Sequence, residues 1–224
     1  MGFPNVVSVA NTAISTNETS HVVSLPPGIV SGDMLEMFFG CGGNLSQQIG
    51  NITGWNKPAA KDHNGPINAA FFYRAADGSE GSSVVVPTSV AAHSVALVYR
   101  VNGWDGLTNP SAQQIDGLSA NADPPTRSPA WGADNNLWLA AATLVGAGTS
   151  FSVDPTNYNN PAEIASDDRI IRCVQRLLNA ATEDPGAFTN SNVSWIAFTV
   201  ALRGTAGGVV PSEGYLRRGV RGGP

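Results

Sequence analysis

The sequence predicts an all-β protein, an antiparallel β-sandwich with an extended C-terminal arm. Three observations lead to this fold class. The apolar stretches are short and rich in Val, Phe, Tyr and Trp, and clusters of Gly, Pro, Asn and Asp separate them at roughly regular intervals. The chain has 25 Gly and 15 Pro among 224 residues, which indicates many turns. Several stretches are also apolar on both faces, as is typical of strands in the centre of a sandwich.

The strands follow from the turn signals between them. Residues 26–33 hold two prolines, two glycines and an aspartate, which predict two turns in quick succession. Residues 77–81 predict another turn. The predicted strands span residues 6–14, 20–25, 33–41, 67–75, 82–87, 93–101, 136–145, 169–180 and 193–203.

Two of these stretches need separate arguments. Val95, Leu97 and Tyr99 alternate with Ala96 and Val98, so both faces of that strand are apolar and we place it inside the sandwich. The apolar residues of 169–181 also fit helical spacing. We favour a strand there because no residue caps a helix, and the helix stays open as the alternative.

A change in composition after Arg203 divides the chain into a sandwich domain, residues 1–204, and an arm, residues 205–224. The arm holds three arginines and one acid, a net charge of +2, which leaves −7 for the rest of a chain whose total is −5. It is too rich in glycine to form a helix or a core alone, so we expect another polypeptide to hold it. The residues expected to bind that partner are Tyr215, Leu216, Arg217, Arg218 and Arg221.

Charge and hydropathy exclude several classes of protein. The net negative charge argues against nucleic acid as a partner. The longest nearly apolar run, residues 137–147, is too short to cross a bilayer, and the N-terminal residues do not resemble a secretory signal, so we expect no membrane association. Cys41 and Cys173 each lie in an apolar stretch and are expected to be buried thiols, as in a protein made in a reducing cytoplasm.

No constellation of catalytic or metal-binding residues is found. His21, His63 and His93 occur singly, and neither a nucleophile elbow nor a phosphate-binding loop is present. The adjacent acids 167–168 and 183–184 are interpreted as loop or strand-edge charges, because a catalytic pair of carboxylates comes from separate elements. We therefore predict no enzyme activity, no cofactor and no metal site.

Three tryptophans neighbour turn residues and are the candidates for ligand stacking: Trp55, Trp104 and Trp131. If they were exposed together they would form a binding face for a sugar or a partner protein. If they were scattered, each would cap an end of the sandwich. Trp138 and Trp195 lie in predicted strands and are expected in the core.

Turn and strand motifs follow one another at residues 22–28, 31–39, 54–55, 72–81 and 99–103. Their order resembles a β-sandwich module that recurs in bacteriophage virion proteins, among them head-decoration, head-fibre and minor tail proteins. The resemblance covers roughly residues 20 to 203. It implies a jelly-roll-like sandwich and a virion location after assembly in the host cytoplasm, and it carries no catalytic motif.

The resulting hypothesis is a non-enzymatic virion structural protein that decorates the capsid surface and is anchored through its arm. Its partners would be other virion proteins, such as major capsid or tail subunits, and further copies of itself. The alternative is a receptor- or carbohydrate-binding module at a tail tip or head fibre, with a host-surface glycan as ligand. A glycoside hydrolase is a third possibility and requires a carboxylate pair in a groove.

Overall fold

The computed structural model describes residues 2–43, 48–62 and 66–205, and these residues form strands and no helix. The all-β prediction is therefore confirmed. The strands are β1 (Asn5–Ser24), β2 (Met34–Gly42), β3 (Asn56–Asp62), β4 (Ile67–Ala75), β5 (Ser83–Asn102), β6 (Ser111–Ala122), β7 (Asp134–Val145), β8 (Phe151–Val153), β9 (Asn159–Ala165), β10 (Arg169–Ala180) and β11 (Phe188–Arg203).

Two antiparallel sheets pack as a sandwich. The first has five strands in the order β1-β5-β2-β4-β3, and the second has the order β6-β11-β7-β10-β9, with the short β8 paired to β11. Each sheet is therefore built from one contiguous half of the chain. The antiparallel sandwich is confirmed, but its jelly-roll character is not, because strands of a jelly roll alternate between the two sheets along the chain.

The two halves repeat one strand order. β1, β2, β3, β4 and β5 occupy the same places in their sheet as β6, β7, β9, β10 and β11. Contacts between the sheets repeat as well: β3 contacts β6 as β9 contacts β1, and β5 contacts β10 as β11 contacts β4. The sandwich thus has an approximate two-fold axis that passes between β2 and β7. This internal repeat is about half the chain long, beyond the short periods typical of repeat proteins.

The central core lies between the sheets and draws on both halves. Gly40 of β2 packs directly against Thr143 of β7, where a Cβ on the glycine would lie 2.4 Å from Cγ2 of the threonine. As predicted, Val95, Leu97 and Tyr99 face this core. Its larger side chains include Met34, Phe38, Ile67, Phe71, Leu139, Ile171, Phe198 and Leu202.

Each sheet also carries an apolar cluster on its outer face, the face turned away from the central core. β1 and β5 stay paired beyond the end of β2, and this ribbon curls back so that the ring of His21 lies 5.3 Å from that of Phe39 on β2. The first outer cluster, which includes Met37, Phe39, Phe72, Val86 and Val98, lies beneath the ribbon. The second outer cluster includes Trp138, Leu144, Phe188 and Trp195.

Several predicted strand boundaries are corrected by the structure. The predicted strands 6–14 and 20–25 are one strand, β1, with irregular pairing between Ile14 and Ser20. The predicted strands 82–87 and 93–101 are likewise joined in β5. The strands β3, β6, β8 and β9 were not predicted, and three of them, β3, β6 and β9, lie at the edges of their sheets.

Other predictions are confirmed. Residues 169–180 form a strand, so the helical alternative is wrong. Cys41 and Cys173 are buried thiols that form no disulfide within the described part of the chain, the first in an outer cluster and the second in the central core. Trp138 and Trp195 are buried, as expected for core residues.

Candidate functional site

The two ends of the described chain meet at one end of the sandwich, which we call the terminal end. Here β5 and β11 finish and β2 and β7 begin. The amide of Gly204 donates to the carbonyl oxygen of Asn135 over 2.9 Å, and a Cβ on Gly204 would lie 2.2 Å from the carbonyl oxygen of Gly2. Thr205 still donates to the carbonyl oxygen of Gly103 over 3.1 Å. The last described residue, Thr205, therefore lies beside the N-terminal segment.

Arg203 anchors the end of β11 through its carboxylate partners. Nε of Arg203 donates to Oδ2 of Asp134 over 2.8 Å, and its Nη1 lies 3.7 Å from Oδ2 of Asp105. The hydrogen bond from Arg203, with a second from the backbone amide of Asn135, lowers the pKa of Asp134. Arg203 is thus bonded to Asp134 at the start of β7 and lies close to Asp105 in the turn after β5. A force applied to the arm would therefore be transmitted to the sandwich.

The arm itself lies outside the described residues from residue 206 onward, and Tyr215, Leu216, Arg217, Arg218 and Arg221 are among those residues. Their role stays a prediction from composition. The arginines of the described sandwich are largely committed: those that pair with a carboxylate of the sandwich are Arg74, Arg100, Arg169, Arg172, Arg176 and Arg203.

The three candidate tryptophans are scattered among different clusters. Trp104 is only 9% exposed in the central core, and its Nε1 donates to the carbonyl oxygen of Gly32 over 2.8 Å. Trp131 packs on the second outer cluster and donates to Oδ1 of Asn136 over 3.0 Å. Trp55 packs on the first outer cluster. The structure therefore does not bring them together as one aromatic face.

A carboxyl group lies in the central core. Glu36 is fully buried between its cross-strand neighbours Tyr73 and Tyr99, and neither of its oxygens has a hydrogen-bond partner among the described residues. Burial raises the pKa of Glu36 to about 8 and also raises the pKa of Tyr99 and of the nearby Cys173 thiol. These groups are protonated at neutral pH and sealed from solvent, so they have no access to a substrate.

A histidine, an aspartate and an arginine meet at the end opposite the termini, in a cleft of about 350 Å³. Nδ1 of His93 lies 3.1 Å from Oδ1 of Asp168, and Nη1 of Arg169 lies 2.9 Å from the other oxygen of that carboxylate. Nη2 of Arg169 donates to the carbonyl oxygen of Pro66 in the first half. Among the described residues that line this cleft there is no serine, threonine, cysteine or lysine. The ion pairs and the hydrogen bond to Pro66 therefore join the two halves of the chain.

One member of each adjacent acid pair forms ion pairs within the sandwich. Asp168 pairs with His93 and Arg169, while Oε1 of Glu183 accepts from Arg176 over 2.7 Å. Across the described part of the chain, no group of three or more His, Cys, Asp or Glu side chains is placed to hold a metal ion. Nor does that part contain a helix long and apolar enough to cross a membrane.

Comparison of the chain with family models, with curated proteins and with solved structures finds no match. The resemblance to phage virion modules accordingly stays a prediction from the sequence motifs.

Proposed function

We propose that this chain is a non-enzymatic structural protein of a phage particle, which decorates the capsid surface and is anchored by its C-terminal arm. The supporting observation is the geometry of the terminal end. Arg203 and the backbone of Gly204 and Thr205 fasten the last described residues to a rigid sandwich, and the cationic arm continues from that point.

The arm would bind its partner through its arginines. The arm's arginines, Arg217, Arg218 and Arg221, can form paired hydrogen bonds with carboxylates of a capsid or tail subunit or of a second copy. An extended segment buries a large area for few residues. Many copies on a lattice would turn modest individual contacts into durable attachment.

The remaining chemistry agrees with a structural role. The titratable cluster around Glu36 is closed to solvent, and the described residues that line the His93 cleft include no serine, threonine, cysteine or lysine. The buried thiols fit assembly in a reducing cytoplasm before incorporation into the virion.

The test is truncation after Thr205 in the phage that encodes this chain, followed by mass spectrometry of the purified particles. We expect the truncated chain to fold, with an unchanged thermal midpoint, and to be lost from the particles. A second variant replaces Arg217, Arg218 and Arg221 with glutamate, and its matched control replaces them with lysine. Full incorporation of the truncated chain would overturn the anchor.

A further inference from the structure

A groove of about 360 Å³ lies at the corner where the first sheet meets the second. The start of β1 forms one wall, and the turn before β9 and the middle of β10 form the others. The groove therefore exists only because the two halves of the chain pack together. Amide side chains line it: Asn5, Asn157, Asn159, Asn160 and Gln175.

None of these five amide side chains forms a hydrogen bond with another described residue. Amides elsewhere in the sandwich are used for structure: Asn136 donates to the carbonyl oxygen of Ala180, and Asn190 accepts from the amide of Ala122. Each free amide offers two donors and an acceptor at fixed spacing. The groove thus concentrates uncommitted donors and acceptors on one small surface.

The groove is also electrically neutral. Arg176 lines it, but Nη1 of that arginine is committed to Oε1 of Glu183 over 2.7 Å. The residues that the structure describes in its lining include no carboxylate. Leu177 adds an apolar patch, since its side chain is 54% exposed. A ligand that fits should be uncharged, rich in hydroxyl groups and apolar on one face.

The backbone that carries these amides is ordered before any ligand binds. Asn159 and Gln175 are cross-strand partners of β9 and β10, so their side chains project from the same face. Asn157 lies in a turn closed by a hydrogen bond from the amide of Tyr158 to the carbonyl oxygen of Pro155. Tyr158 is buried, and its hydroxyl bonds to Glu183 over 3.2 Å. Such preorganisation lowers the entropic cost of binding.

We propose that this groove binds a neutral saccharide. Its amides would pair with neighbouring sugar hydroxyls, and Leu177 would contact the apolar face of a sugar ring. The volume lies at the lower end of the range for small-ligand sites, which suits a short stretch of a glycan. This site does not involve the candidate tryptophans, and it does not depend on the arm or on where the protein sits on a particle.

The test applies the full-length chain to an array of neutral and anionic glycans, and calorimetric titration follows with a neutral oligosaccharide that binds. We expect neutral glycans to bind, and Asn159→Ala combined with Gln175→Ala to weaken binding at least tenfold. The matched control, Gln113→Ala, alters an exposed glutamine on β6 outside the groove and should leave binding unchanged. Asn157 and Asn160 are left intact, because both have positive φ and alanine there would strain the backbone.

Three outcomes would overturn the proposal. They are binding of anionic glycans alone, no glycan binding by a folded protein, and binding that survives the double amide change but is lost on replacement of Trp55 or Trp131 by alanine. The last result would restore the tryptophan hypothesis. Incorporation into particles is measured separately, so failure of the groove and failure of the arm give different results.

Discussion

Nε of Arg100, near the end of β5, donates to Oδ2 of Asp33, just before β2, over 2.6 Å. The second sheet repeats this ion pair between Arg203 and Asp134 over 2.8 Å. In both halves the pair joins the start of one central strand to the end of its neighbour. Because the same ion pair occurs at equivalent positions in both halves, it supports the internal repeat that the strand order shows.

Loss of Asp33 should destabilise the sandwich strongly. Asp33 is buried and also accepts from the amide of Val30 over 3.0 Å, so Asp33→Ala leaves Arg100 largely buried without its carboxylate. We expect a loss of about 2–4 kcal/mol in the free energy of unfolding, measured by urea denaturation. The control Glu18→Ala removes an acid hydrogen-bonded only to Thr16 on β1 and should change stability by less than about 0.5 kcal/mol. Equal effects of the two changes would contradict this prediction.

The buried carboxyl of Glu36 should make stability depend on pH. Its pKa rises from an ordinary 4.5 to about 8 in the folded protein. Below pH 4.5 the group is protonated in both states. As the pH rises towards 8 only the unfolded chain releases the proton, so stability falls, by roughly 3 to 5 kcal/mol over that window. Glu36→Gln should remove this slope in urea titrations from pH 5 to 8. A slope that Glu36→Gln leaves intact would assign it to other groups.

Close packing of β2 on β7 predicts a compensating pair of substitutions. Gly40→Ala places a methyl group against Thr143 and should cost about 1–3 kcal/mol of stability. Thr143→Ala removes the obstructing Cγ2 and should recover part of that loss. A double-mutant cycle measures the coupling free energy, expected at 0.5 kcal/mol or more. Additive effects would mean that the two residues do not touch.

We expect Trp104 to contribute to the stability of the fold and not to ligand binding. Trp104→Ala opens a cavity in the central core and should cost about 3–5 kcal/mol, while Trp104→Phe loses chiefly the hydrogen bond to Gly32 and should cost less. Urea denaturation of both variants checks the order. If Trp104→Ala kept full stability, the side chain would be free to serve a ligand.

The sequence predicted the fold class because the central strands are apolar on both faces, as the alternation around Tyr99 shows. It missed β3, β6 and β9 because an edge strand buries less of its surface: β3 carries Pro58, and β6 is largely polar. It divided β1 because residues 15–19 are polar, and of these residues only Glu18 pairs in register with β5.

The groove and the internal repeat could not be predicted from the sequence. Asn159 and Gln175 are neighbours through the pairing of β9 with β10, but Asn5 lies far from both in the chain, and only the packing of one half on the other brings it to them. The repeat is shown by strand order and by the aspartates and arginines of the two ion pairs, which only the folded structure places at equivalent positions. The scattering of the tryptophans likewise depends on which cluster each one joins.

The central claim is that the sandwich supplies a rigid body and the arm supplies the attachment. The most direct measurement compares binding to purified particles that lack this chain, using the sandwich truncated after Thr205 and an unrelated soluble carrier fused to residues 206–224. The account predicts that the carrier with the arm sediments with the particles and that the truncated sandwich stays in the supernatant. Sedimentation of the truncated sandwich to the same extent as the full chain would contradict it.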